Sequence, residues 1–218
     1  DKLDDTGLAQ NTLVVYASDH GEMAGEHGCW WKSNYYEGSV GVPVVARLPG
    51  VIPSGSASDE ICNLMDVGPT LVDLAGAPPL PQTDGHSLWR VLQGHHDDGR
   101  PGETFSEHGP TRGESPSRMI RRGRWKLYKY ADDTPPVLFD LEADPRELDD
   151  RGGDPDLADL RQQLLRALFE GWDPDFVRRD SERQAADMQL LSAWGAAVKP
   201  AHEDTLPVPH GAEQIERR

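Results

Sequence analysis

The stretch that decides the fold is Thr12-Leu13-Val14-Val15-Tyr16-Ala17, followed at once by Ser18-Asp19-His20-Gly21. A continuous apolar run rich in β-branched residues suits a strand buried on both faces of a parallel sheet. The switch to Ser-Asp-His-Gly marks the carboxyl end of that strand, where open α/β sheets collect their ligands. A carboxylate and an imidazole on adjacent residues reach one cation only if the backbone turns sharply, and Gly21 permits such a turn. Carboxylate oxygen plus imidazole nitrogen suits a divalent metal, but Asp19 and His20 are too few to close a site, so further ligands must come from elsewhere. Lys32 adds a cation near the same mouth, useful for holding an anionic oxygen.

Upstream, residues 1–10 read as the end of a helix, with Gly7 as its C′ residue. Downstream, residues 40–48 form a second buried-strand candidate, delayed or kinked by Pro43 and closed by Pro49-Gly50. Residues 63–75 carry Leu64, Val67, Leu71 and Leu74 at helical spacing, with Pro69 as a bend and Gly76 as the stop. The pattern changes after about residue 99. Residues 104–108, 118–130 and 137–141 read as short strands, the middle stretch a hairpin around Gly123. Residues 157–172 form an amphipathic helix through Leu157, Leu160, Leu164 and Leu168, with Asp156 as the expected N-cap. A small antiparallel sheet covered by one helix follows. Residues 180–197 read as another helix, and the Pro-rich, polar stretch 200–218 as a mobile tail. The expected divisions are 1–98, 99–172 and 173–218.

The 218 residues hold 22 Lys+Arg against 38 Asp+Glu, a net charge of −16. Such a surface repels phosphate backbones, which argues against nucleic acid as a partner. An anionic substrate binds only where a metal or local cations reverse the field. Two cysteines, Cys29 and Cys62, with no CxxC, make no disulfide framework and point to a reducing compartment, with the cytoplasm as the expected location. No apolar run approaches the roughly 20 residues of a membrane span, so no membrane partner is expected. The opening at Asp1 reads as that of a fragment or a processed chain.

Five stretches, in order, carry a resemblance: YASDHGEMAGEHGCWWKSNYYEGSVGVPVVARLPG (16–50), DVGPTLVDLAG (66–76), DGHSL (84–88), MIRRGRWKLYKY (119–130) and LFDLEADPRELDD (138–150). Together they resemble the C-terminal half of sulfatases of the alkaline-phosphatase superfamily, nearest to choline-sulfatase-like members. The resemblance runs from about residue 8 to 168. It implies an α/β fold: the C-terminal part of an alkaline-phosphatase-like sandwich, a small antiparallel sheet plus helix subdomain, and an extended tail. It implies that Asp19 is a metal ligand, with His20 at the neighbouring position where members use Asn or His. The metal would be Ca2+, or Mn2+ or Zn2+ as in related phosphonate and phosphodiester hydrolases. Lys32 matches the lysine that contacts the sulfate and the leaving-group oxygen, a catalytic and substrate-binding role. His108, after Glu107, falls where choline-sulfatase-like members have "EY" and is a substrate-pocket candidate. The family nucleophile is a formylglycine made in a C/S-x-P-x-R motif; its hydrate attacks sulfur while metal and lysine neutralise the sulfate oxygens.

That motif is absent from the chain. Glu114-Ser115-Pro116-Ser117-Arg118 is a near miss with Glu in the nucleophile position, and it lies on the wrong side of Asp19-His20. The resemblance therefore implies a hydrolase of choline-O-sulfate or another small organosulfate, to which this chain supplies Asp19, His20 and Lys32 while being inactive alone. Two alternatives stay open: a phosphonate monoester or phosphodiester hydrolase, and a non-catalytic truncated homologue. Homo-oligomerisation is also open. An incomplete sheet is expected to leave an edge strand and an apolar face uncovered. Trp30 and Trp31 read as rim or core aromatics, with a cation cage as the alternative. His95-His96-Asp97-Asp98 reads as a solvated loop, His86 as a loop residue before a short helix, and Arg121, Arg122, Arg124 and Lys126 as a solvated basic face or partners for the many acids.

Overall fold

The computed structural model describes residues 2–110 and 115–198. The tail at 200–218 and Glu114 of the near-miss motif lie outside the described residues. The chain divides into two compact units, Asp1–Arg178 and Arg179–Arg218, so the boundary expected after residue 98 runs inside the first unit. In chain order the elements are α1 (Lys2–Asp5), β1 (Val14–Ala17), α2 (Glu37–Val40), β2 (Val44–Arg47), α3 (Val67–Leu74) and α4 (Trp89–Leu92). Then come β3 (Glu103–His108), β4 (Ser117–Arg122), β5 (Trp125–Tyr130), β6 (Val137–Asp140), α5 (Ala158–Phe169) and α6 (Pro174–Val198).

β1 pairs with β2, and the pairing is antiparallel, from Val14↔Arg47 to Ala17↔Val44. This corrects the reading of β1 as part of a parallel sheet. An apolar run encodes burial but not the direction of its neighbour, and the long 18–43 connection permits either direction. One face of the pair meets α3 and α4: Val15, Val44 and Ala46 lie against Val67, Leu71, Leu88 and Leu92. Buried Thr70 ties this layer together, donating to the Asp66 carbonyl at 2.6 Å and accepting the Leu88 N–H at 2.8 Å. The other face is open: Val14 and Val45 are exposed and Tyr16 is 64% exposed. The strand is thus covered on one face in this chain, not on both.

The second sheet is antiparallel in chain order, β3-β4-β5-β6. Arg122 pairs with Trp125, leaving a two-residue turn whose first member, Gly123, has φ +56. Two-residue hairpins demand a positive φ there. Strand alternation sends Ile120, Leu127 and Leu138 to one face, where Leu164 and Leu168 of α5 and Trp172 complete the core. Each fully buried aliphatic contributes about 1.5–3 kcal/mol. The helix starts differently from the expectation: Asp154, not Asp156, caps the preceding turn Pro155–Leu157 by accepting the Asp156 N–H at 2.9 Å. The opposite sheet face carries His108, Ser117, Met119, Arg121, Lys126, Tyr128 and Phe139, and the segment 35–37 covers it. In the second unit the described residues continue α6, with Leu190, Leu191, Trp194 and Val198 exposed.

Candidate functional site

The site begins where β1 ends. Ser18 Oγ donates to the His20 carbonyl at 2.7 Å, and Asp19 Oδ1 accepts the His20 N–H at 3.1 Å, which folds the chain into a tight turn. Gly21 then donates its N–H to Ser39 O at 2.8 Å. A Cβ at Gly21 would stand 2.1 Å from the Gly38 carbonyl oxygen. Glycine is required there by close backbone approach, whereas the sequence pointed to turning freedom.

His20 Nδ1 lies 2.7 Å from the Gly21 carbonyl. A carbonyl only accepts, so this contact assigns the proton to Nδ1 and, in the neutral ring, leaves the Nε2 lone pair free. Nε2 faces Asp19 Oδ2 at 3.7 Å. That gap is too long for a hydrogen bond but leaves both atoms able to touch one cation. An imidazole oriented by a backbone carbonyl through its far nitrogen is the usual arrangement of a metal-ligating histidine. Among the described residues no group of three or more His, Cys, Asp or Glu could hold a metal ion. Asp19 and His20 therefore fit a divalent metal as part of its ligand set and do not complete it.

Lys32 sits on a loop whose shape is imposed by contacts. Glu22 Oε1 accepts the N–H groups of Trp31 at 2.7 Å and Ala24 at 3.1 Å. Met23, fully buried, donates its N–H to Trp31 O at 2.9 Å. Ala24, His27, Trp31 and Ser33 adopt φ of +48, +52, +68 and +81. Each such non-glycine costs on the order of 1–3 kcal/mol, and strain of this kind concentrates at functional sites. Lys32 is exposed between two of these residues, and no described carboxylate pairs with it. Trp30 and Trp31 beside it are 68% and 77% exposed, so they are not core.

The residues after Lys32 lock onto the second sheet. Tyr36 stacks on His27 with ring centroids 3.8 Å apart and sits 6.0 Å from the Phe139 ring. Buried Tyr35 shares a hydrogen bond with Ser117 Oγ at 2.9 Å. Burial raises the Tyr35 hydroxyl above its ordinary range, so it stays protonated. The His108 ring meets Tyr35 edge-on at 5.3 Å. His108 thus joins the Lys32 loop through Tyr35, and no hydrogen bond or ion pair among the described residues links it to Asp19, His20 or Lys32.

Of the two readings of the basic hairpin, a solvated face or partners for the acids, Lys126 takes the second. Its side chain is 0% exposed, pairs with Glu147, and lies 2.8 Å from Glu37 Oε1. Arg121 approaches the other Glu37 oxygen at 3.5 Å. The signal that separates the two readings is alternation: Lys126 shares a strand face with Tyr128 and Tyr130, where a lysine needs partners. Arg100 was missed. Its side chain, 4% exposed, meets Asp66 at 2.7 Å and the carbonyls of Ile61, His86 and Ser87 at 2.8–3.1 Å. This arginine organises the 84–88 motif, and His86 contributes its backbone N–H to Asp66 at 2.8 Å while its ring is exposed. His95 and His96 are exposed, and His96 lies 3.0 Å from Asp98. Cys29 and Cys62 are unpaired thiols. No helix among the described residues is long and apolar enough to cross a membrane.

Residues 25–172 match the family model of the N-sulphoglucosamine sulphohydrolase C-terminal region. A choline-sulfatase of Rhizobium meliloti (strain 1021) is 42% identical over 151 residues, covering 68% of this chain and 28% of that protein. The structure of BT4656 in complex with its substrate D-glucosamine-2-N,6-O-disulfate is similar at a TM-score of 0.72 and 29% identity, covering 82% of this chain and 37% of that one. A phosphonate monoester hydrolase of Agrobacterium radiobacter is similar at a TM-score of 0.69 and 31% identity, covering 77% and 36%. The chain thus spans about a third of the length of these relatives. With a family match over residues 25–172, a choline-sulfatase relative at 42% identity and sulfatase structures of similar fold, the chain belongs to the sulfatase family, of which it carries the C-terminal portion.

Proposed function

We propose that this chain serves a metal-dependent hydrolase of small organosulfate esters. The observation that carries the reading is the His20 ring: its Nδ1 is bound to Gly21 O at 2.7 Å, and its free Nε2 faces the Asp19 carboxylate. On this reading Asp19 and His20 hold part of a divalent metal, Ca2+ first, with Mn2+ or Zn2+ as alternatives. When bound, the metal supplies positive charge against the sulfate oxygens. Lys32 places its ammonium on the sulfate and the leaving-group oxygen, where charge develops as the S–O bond breaks. Its lack of a described carboxylate partner supports this, because a lysine already paired would have less charge to offer. In a chain of net charge −16, these local cations are what admits an anion. On this reading His108, whose ring meets Tyr35 behind the Lys32 loop, is a substrate-side residue. The formylglycine nucleophile is, on this reading, supplied by residues outside this chain.

The proposed substrate is choline-O-sulfate or another small organosulfate. Exposed Trp30 and Trp31 beside Lys32 support an organic group with a cationic or flat surface. The acidic surface supports a protein with no nucleic-acid partner, and the free thiols support a cytoplasmic site of action. Membrane association is not part of the reading, and self-association is compatible with it.

A second reading, phosphonate monoester hydrolysis, is favoured by the likeness to the Agrobacterium radiobacter enzyme. The two separate on substrates. The protein expressed from its full coding sequence is assayed with matched sulfate and phosphonate esters, as wild type and as Lys32→Ala. Faster sulfate turnover, reduced about 10²–10³-fold in Lys32→Ala, is the expected result. Dominant phosphonate turnover transfers the case to the second reading. No turnover of either ester in metal-loaded protein supports a non-catalytic homologue.

A further inference from the structure

We infer that Lys126 is a positioning residue for the loop that carries Lys32, acting through Glu37. The inference rests on the reading of Lys32 given above. A buried ammonium is costly unless paired, and Lys126, 0% exposed, is paired twice, with Glu37 and Glu147. Those carboxylates come from separate parts of the fold. Glu37 opens α2, five residues after Lys32, and Glu147 follows β6. Glu147 also accepts the Glu37 N–H at 2.6 Å, and Arg121, opposite Lys126 in the strand register, reaches the second Glu37 oxygen at 3.5 Å. Glu37 is therefore held at its backbone and at both carboxylate oxygens, in a cluster of two positive and two negative groups.

Both ends of the candidate site hang from this clamp. On one side the chain runs back through Tyr36 and Tyr35 to Lys32. On the other, α2 leads to Ser39, whose carbonyl accepts the Gly21 N–H at 2.8 Å and so fixes the turn bearing Asp19 and His20. Gly41 is pressed against the same point, since a Cβ there would lie 2.7 Å from Glu37 O. Releasing Glu37 lets the Lys32 ammonium drift from the leaving-group oxygen, and a misplacement near 1 Å costs about 10²-fold in rate.

The test uses the protein from its full coding sequence and two esters, an alkyl sulfate and 4-nitrophenyl sulfate. Lys126→Met leaves Glu147 without its lysine and Glu37 with Arg121 alone, so Lys126→Met with Glu147→Gln is made beside it, restoring the charge balance while removing the hold of Lys126 on Glu37. Lys126→Arg is the conservative control, Lys32→Ala the reference, and thermal melting reports folding. The expected result in the folded variants is a kcat for the alkyl sulfate about 10–100-fold lower at nearly unchanged KM. The loss is smaller for 4-nitrophenyl sulfate, whose leaving oxygen needs less neutralisation, and Lys126→Arg recovers most of it. Unchanged kcat in the folded variants overturns the inference, as does an equal loss on both esters with no recovery in Lys126→Arg. Inactive Lys32→Ala beside fully active Lys126 variants overturns this inference alone, whereas fully active Lys32→Ala removes the reading of the site as well.

Discussion

Lys126 and Lys32 are the same residue put to opposite uses. Lys126 lies in a sheet covered on both faces, with no exposed surface and two carboxylate partners. Lys32 stands on a loop of left-handed residues, exposed, with no described acid beside it. The first is consumed by the structure; the second is left with its charge unspent. The same contrast separates the four-stranded sheet, whose core is closed by α5, from the β1–β2 pair, whose outer face shows Tyr16 to solvent. Where packing is complete, charge is neutralised locally. Where chemistry is proposed, polar groups are held in place by backbone contacts and kept free at their tips.

The sharpest way to break this contrast is to empty the closed core. Leu127→Ala, at a position with no exposed surface, is expected to destabilise the protein by about 2–5 kcal/mol, measured by urea unfolding. A loss near zero would mean that the sheet is not the rigid platform described. A smaller effect comes from acid. The Arg124 guanidinium, hydrogen-bonded to Asp140 at 2.6 Å, holds that carboxyl below its usual range. A carboxyl with a lowered folded pKa stabilises above its unfolded value, about 3.9, and that contribution disappears as pH falls through the folded pKa. Unfolding midpoints should therefore stay level from neutral pH towards about pH 5 and fall below about pH 4, and Asp140→Asn should flatten that fall. The smallest effect belongs to the loop cation: Lys32→Ala is expected to change unfolding free energy by no more than about 0.5 kcal/mol. A larger loss would show that Lys32 is structural and that the two lysines are alike.

Much of the second sheet was legible because its signals are local. Short runs separated by turn residues placed β3 to β6, Gly123 marked the hairpin, and leucines at helical spacing marked α5. The turn at Asp19-His20 was legible from the switch out of an apolar run. The direction of β1 was not, because burial patterns say nothing of the partner strand. The clamp on Glu37 was not legible either. Its members, Glu37, Arg121, Lys126 and Glu147, are scattered along the chain, and only the fold brings them together. Gly21 illustrates an intermediate case: it was read as permitting a sharp turn, whereas what demands glycine is the Gly38 carbonyl, a long-range contact.

The most direct measurement is nitrogen NMR of the histidine-labelled full-coding-sequence protein, titrated with Ca2+ or diamagnetic Zn2+. The expected result is a saturable shift of His20 Nε2, with Nδ1 keeping its proton on the Gly21 carbonyl, and loss of that shift in Asp19→Ala. A proton found on Nε2, or a His20 ring that ignores both ions while the protein stays folded, would show that imidazole and carboxylate do not share a cation, and the site would have to be sought elsewhere.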